Sequence, residues 1–218
     1  MSTIPGRFLT IEGIEGVGKS TQVPRLAQAL AAHAIECVLT REPGGTPLAE
    51  KIRELVLAPG AEVLPDAAEL LLMFAARSVH LENFIKPHLE AGRWVLCDRF
   101  TDATYAYQGA GRGFAFDNIA QLERLVQGTL RPDLTLLLDA PVTAGLERVR
   151  ARNAGAGRAS AADRFERERA EFFERVREGY LARAAAEPER IAVIDAGGSI
   201  DQVAAQILEA LKVRRWIS

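Results

Sequence analysis

Residues 8–20 read FLTIEGIEGVGKS: a five-residue apolar run, FLTIE, leads straight into the glycine-spaced segment GIEGVGKS at 13–20. That segment satisfies G-x-x-x-x-G-K-[ST], and a stretch of helical period, Thr21 to Ala32, follows it directly. Strand, glycine loop and helix in that order predict a phosphate cradle. Gly13, Gly16 and Gly18 let the backbone curl so that the successive N–H groups of the loop, through Ile14, Glu15 and Val17, point inward. The helix that follows adds its positive N-terminal end. Lys19 then places an ammonium on the β- and γ-phosphates of a nucleoside triphosphate, and the Ser20 hydroxyl coordinates a magnesium ion bridging the same two phosphates.

Working outward, the runs CVLT, WVLCD, LTLLLD and IAVID alternate with longer stretches of helical period. Together with FLTIE they predict an α/β fold, a five-stranded parallel sheet with helices on both faces in three layers. Loop signals fall between them at 41–47, 58–60, 108–113 and 152–160. With 218 residues, 48% apolar, and neither internal repeat nor linker, a single domain spanning 1–218 is expected. Ligands of open α/β sheets collect at the carboxyl ends of the strands, here Glu12-Gly13, Arg41-Glu42, Asp98-Arg99, Asp139 and Asp195. Asp139 and Asp195 read as strand terminators. A magnesium carboxylate has two candidates, Asp98 and Asp139; Asp98 is preferred because the neighbouring Arg99 lets one place serve metal and substrate phosphate.

Lys and Arg total 27 against 29 Asp plus Glu, so no overall positive field holds a polyanion, and nucleic-acid or membrane-surface roles are disfavoured. Cys37 and Cys97 lie in separate apolar runs without metal-ligand spacing and read as reduced core thiols. The first residues lack the pattern of a secretory leader, and the longest apolar run, Leu70 to Ala76, is too short to cross a bilayer. A cytoplasmic location is expected.

The loop motif fixes the donor class and leaves the acceptor open. The guanine-reading N-K-x-D pattern is absent, which argues against a GTPase. In ELLLMFAAR, Phe74 and Arg77 stand three apart on a helix and share a face, one ring to stack on a base and one guanidinium to fork onto oxygens.

GIEGVGKS, TREPGGTPLAEKIR (40–53), LLMFAAR (71–77), DRF with YAYQGAGRG (98–113), RPDLTLLLD (131–139) and DRFE (163–166) occur in one order along the chain. In these the sequence resembles the bacterial thymidylate kinases over nearly its whole length. The resemblance implies a nucleoside-monophosphate-kinase-like P-loop fold, ATP and Mg2+ as cofactors, transfer of the γ-phosphoryl group to dTMP, and a homodimer packed through helices such as Asp66 to Glu90. It implies that Glu15 approaches the acceptor's 3'-hydroxyl, that Phe74 stacks on thymine, and that Arg77 reaches the base or the phosphate. It further implies that Arg99 grips the acceptor phosphate, that Thr104, Tyr107 and Gln108 surround base and sugar, and that Arg53 lies near the phosphate. Tyr107 would block a 2'-hydroxyl. Phe100 stands where relatives often carry His or Tyr, which removes one polar contact.

Nine arginines fall between Arg148 and Arg177 around a Gly/Ala-rich stretch, which looks like a lid at about 150–165. Some relatives carry a catalytic arginine in the phosphate loop where this chain has Gly16, so the lid is expected to supply that charge through Arg152, Arg158 or Arg164. Asp163 and Glu166 match acidic lid positions. His33, His80 and His88 do not cluster and read as structural. The rivals are a kinase of the same architecture with another acceptor, and a P-loop ATPase with Asp139 as its metal carboxylate.

Overall fold

The computed structural model describes residues 6–58, 62–155, 165 and 168–218. Five parallel strands, β1 (Phe8–Glu12), β2 (Cys37–Arg41), β3 (Trp94–Asp98), β4 (Leu134–Asp139) and β5 (Ile191–Asp195), form one sheet in the order β2-β3-β1-β4-β5. Alternate residues of β1 and β3 enter different apolar clusters. Leu9, Ile11 and Leu96 join one, while Phe8, Val95 and Cys97 join the other, so both faces of the sheet are covered. The edge strands are less protected, with Leu39 and Val193 both exposed. Cys37 on edge strand β2 is half-buried, not a core thiol as expected, whereas Cys97 on inner strand β3 is buried.

Helices α1 (Lys19–Ala32), α2 (Pro47–Leu57), α3 (Asp66–His80), α4 (Lys86–Glu90), α5 (Thr101–Thr104), α6 (Phe116–Gln127), α7 (Val142–Gly155), α8 (Ala170–Ala186) and α9 (Ile200–Val213) complete the order. α1 begins two residues earlier than the period suggested, because Gly18 caps it in the left-handed region at φ 102°. The run from Asp66 to Glu90 is helical throughout, with a π-helical turn at Leu81–Ile85. Pro87 lies just beyond, and its missing N–H disturbs the regular ladder there.

Two expected loops turn out helical in part. α7 continues through Arg152 to Gly155. The segment QGAGRG is mostly π-helical, within Tyr105–Gly111. Its small residues serve close packing against α8: a Cβ on Gly179 would lie 2.6 Å from that of Ala110, and one on Gly111 would lie 2.7 Å from the Phe172 ring.

Buried Asp102 of α5 clamps α8 and the start of β5 to this layer. Its carboxylate accepts from Arg190 Nη1 and Nη2 at 2.7 and 2.9 Å, from Arg183 Nε at 3.1 Å and from Thr135 Oγ1 at 3.2 Å. Burial pushes this carboxyl up, and Arg190 and Arg183 more than offset it, holding it below its usual range. Removing the carboxylate leaves two largely buried guanidiniums to share Glu187. Asp102→Ala is therefore expected to lower urea-unfolding stability by about 3 kcal/mol; a loss within experimental error would mean that the cluster contributes no stability.

Candidate active site

Parallel register brings the site together. Asp98 stands level with Ile11 on one side and Arg41 on the other, and the pairing continues past the strand ends, Arg99 N–H donating to Ile11 O and Glu42 N–H to Asp98 O, both at 3.0 Å. The residues after β1, β2 and β3 thus emerge side by side.

In the phosphate loop, Gly13, Gly16 and Gly18 all have positive φ. Gly16 has a second reason: a Cβ there would lie 2.1 Å from the carbonyl oxygen of Gly145 on α7. No side chain fits, so an arginine at this position is sterically blocked as well as absent. Lys19 Nζ donates to Gly13 O at 2.8 Å and to Ile14 O at 2.9 Å, the ammonium folded into the loop that would receive a phosphate. Burial, with help from nearby Arg99, pulls it down to about 8.

Ser20 and Asp98 line one hollow beside the loop. Asp98 Oδ1 is buried without a hydrogen-bond partner among the described residues. An unpartnered carboxylate oxygen beside a hydroxyl is a hard-oxygen donor set of the kind magnesium takes, with water and phosphate oxygens completing its shell. Asp139 is already engaged, its two oxygens accepting from Arg177 Nε and Nη2 at 2.7 and 2.8 Å.

Across the loop opens a cleft of about 590 Å³ of empty space, its mouth included. Glu15, Arg53, Arg77, Arg99, Thr104, Tyr107 and Gln108 all line it. Arg99 lies at its floor with φ 70°, donating from Nη2 to Glu15 Oε1 at 2.7 Å and from Nη1 to Gly13 O at 3.0 Å, its guanidinium 4.8 Å from the centre of the Tyr107 ring. Burial pushes the Glu15 carboxyl up, but Arg99, Lys19 and Arg152 outweigh it and hold Glu15 below the usual carboxylate range. Arg77 donates from Nε to Glu42 at 2.7 Å and from Nη2 to Thr104 at 3.0 Å. Its Nη1 is buried and has no hydrogen-bond partner among the described residues. Arg53 Nη1 donates to Pro43 O at 2.8 Å, and Gln108 Nε2 donates to Glu69 at 2.6 Å.

Phe74 is not on the cleft. Its ring packs with Leu70, Tyr105 and Ile119, under the Arg77 guanidinium at 4.9 Å, and it is Met73 that lines the cleft beside Arg77 on α3. A spacing of four also shares a helix face with Arg77, so periodicity could not choose between them. Phe100 is fully buried, edge-on to Phe8 at 4.8 Å, which accounts for an apolar ring at this point of the motif. Arg152 stands exposed on α7, close enough to act on Glu15. Arg158, Arg164, Asp163 and Glu166 lie outside the described residues.

Sequence reasoning also missed several participants. Phe165 lines the cleft, edge-on to Tyr107 at 5.6 Å. Buried His80, read as structural, braces Glu42 from behind: Nδ1 lies 3.0 Å from Glu42 and Nε2 2.6 Å from Thr40. Glu12 and Tyr180 lie beneath Arg99. For Tyr180 the only available signal was a phenol on the buried face of a helix, where its hydroxyl needs a partner.

The profile of the family described as thymidylate kinase matches residues 11–207. The chain is 60% identical over 211 residues to the thymidylate kinase of Chromohalobacter salexigens, covering 96% of this chain and 97% of that one. With the thymidylate kinase of Alkalilimnicola ehrlichii it shares 55% over 215 residues, 98% of this chain and 96% of the other. The crystal structure of thymidylate kinase from Ehrlichia chaffeensis superposes with a TM-score of 0.75 at 36% identity, covering 96% of this chain and all of that one. A family profile covering most of the chain, and relatives this similar along their full length, are decisive: the chain belongs to the thymidylate kinase family.

Proposed function

We infer that the chain moves the γ-phosphoryl group of ATP onto dTMP, giving dTDP and ADP, the reaction that its family membership assigns to it. The observation that carries this reading is the cleft holding Arg77 and Arg99 next to the phosphate loop, because an ATPase would need no second nucleotide site. The engagement of Asp139 by Arg177 weighs against the ATPase as well, since it removes that reading's metal carboxylate.

In this reading the triphosphate lies on the loop N–H groups, and Lys19 leaves its carbonyl partners for the β- and γ-phosphates. Ser20 and Asp98 would hold Mg2+, which would supply positive charge to offset that of the transferring phosphates. The acceptor base lies in the cleft against Met73, with Gln108 and Thr104 beside it. Arg77 is already neutralised by Glu42 and keeps one unfilled donor, which suits a base carbonyl better than a dianionic phosphate. Arg99 takes the acceptor phosphate, with Arg53 at the far side. Glu15, held ionised, accepts from the 3'-hydroxyl, and Tyr107, clamped between Arg99 and Phe165, is the wall against a 2'-hydroxyl. Arg152, reaching toward Glu15 from α7, is the lid-side arginine that its position favours, beside Arg158 and Arg164.

The enzyme works as a single-domain kinase in the cytoplasm; both cysteines are free thiols, and no described helix is long and apolar enough to cross a membrane. A homodimer is supported by exposed Leu48 and Leu55 on α2, Leu71 on α3 and Leu125 on α6, three helices packed side by side. Leu71→Glu is expected to shift sedimentation from dimer toward monomer; an unchanged dimer would remove α3 from the interface.

Coupled ADP release is expected to rise strongly with dTMP and far less with dUMP, dCMP or dGMP, and ATP consumption indifferent to any acceptor would sink the kinase reading. Lys19→Ala should lower kcat by about a hundredfold or more while the fold survives, since the loop loses its only mobile cation on the transferring group. Lys19 also makes ATP binding proton-linked. The folded amine sits at about 8 instead of 10.5, and phosphate favours the ammonium, so binding takes up a proton and weakens as pH rises through 8. Calorimetry at about pH 9 in buffers of different ionisation enthalpy should show this uptake, and it should vanish in Lys19→Ala.

A further inference from the structure

The orientation of Arg99 depends on a chain of largely buried hydrogen bonds running away from the cleft. Its Nη1 donates to the Tyr180 hydroxyl at 3.1 Å, and that hydroxyl donates to Glu12 Oε2 at 2.7 Å. The other oxygen of Glu12 accepts the Phe100 N–H at 2.6 Å, the residue directly after Arg99. The chain therefore closes on itself: one carboxyl fixes both the backbone that carries Arg99 and the phenol that steers its guanidinium. Glu12 ends β1, Phe100 follows β3, and Tyr180 comes from α8, so three separate elements converge here.

We propose that Tyr180 and Glu12 are positioning residues for phosphoryl transfer, acting through Arg99. Three observations carry this. Arg99 adopts φ 70°, a conformation that non-glycine residues rarely hold without support from their surroundings. Tyr180 and Glu12 are buried and Arg99 is half-buried, so the phenol does more than fill space: its ring packs in the core cluster while its oxygen serves Arg99. Glu12 is fully buried, and burial, reinforced by Asp102, pushes its carboxyl up to about 8 against the pull of Arg99. The counter-charge of Arg99 is Glu15, and Glu12 contributes direction through hydrogen bonds.

Without the phenol oxygen, Arg99 Nη1 keeps only Gly13 O, and the guanidinium can pivot about its bond to Glu15. Small misplacements of a group that meets a transferring phosphate are costly in rate. This proposal rests on the reading of Arg99 as the acceptor-phosphate residue, and one set of assays separates the two. Wild-type enzyme without dTMP-dependent turnover would sink that reading. Given such turnover, Tyr180→Phe is expected to lower kcat and kcat/KM for dTMP by about tenfold while KM for ATP stays unchanged, because the lost hydroxyl bonds Arg99 and Glu12 and leaves Lys19 and the loop N–H groups in place. In an Arg99→Lys background the same substitution should add almost nothing, since its effect passes through the guanidinium. Wild-type kcat in Tyr180→Phe, or losses that multiply fully in the double variant, would overturn the proposal. Should Tyr180→Phe fail to fold, Glu12→Gln repeats the cycle from the other end of the chain and is held to the same two outcomes.

Discussion

Everything at the site follows from the parallel pairing of β1 with β3 and of β3 with β2. Because those strands run in one direction and in fixed register, the charged residues that follow them leave the sheet within a few ångströms of one another. Such a row of charges at a weakly solvated edge is tolerable only if each has a partner. The structure meets that requirement locally for most of them, with Glu15 for Arg99, Glu42 for Arg77, Arg177 for Asp139 and loop carbonyls for Lys19, while Asp98 Oδ1 has no hydrogen-bond partner among the described residues. The same density of charge that makes the edge costly is what allows it to receive phosphates.

A second constraint is the approach of helices to that edge. α7 meets the phosphate loop backbone to backbone, Gly145 against Gly16, with no room for a Cβ on either. The π-helical turn after α5 meets α8 through Ala106, Ala110 and Gly179 in the same way. These contacts bring Arg152 on α7 and Tyr180 on α8 to the site from elements far away in sequence. They also explain why small residues that read as loop signals lie inside helices. Glycine marks both turns and close approaches, and only three dimensions distinguish them.

That ambiguity marks the boundary of what the residues reveal by themselves. The five strands and their order in the chain were legible because buried parallel strands are nearly continuous apolar runs, and the phosphate loop was legible because its spacing has one mechanical purpose. Choosing Asp98 over Asp139 rested on a neighbouring arginine, and the pairing of Asp139 with Arg177 favours that choice on different grounds. Positions three and four before Arg77 share its face, so periodicity could not tell that Phe74 packs in a core cluster while Met73 lines the cleft. Glu42, His80, Glu12 and Tyr180 act through contacts spanning up to 168 residues, for which no local pattern exists.

What these long-range contacts add is fixed orientation. Arg77 hands two of its donors and Arg99 three to protein acceptors, which at first sight spends groups a substrate would need. A guanidinium has five N–H donors in one plane, however, so fixing two or three of them determines where the others point. Arg77 illustrates the result, with Nε on Glu42, Nη2 on Thr104 and Nη1 left without a partner. A donor held in this way needs no reorganisation when charge develops, whereas a freely swinging arginine would lose part of its stabilising effect to reorientation. The carboxylates around the cleft therefore do more than neutralise: by holding the arginines, they convert a cluster of cations into a set of aimed hydrogen bonds.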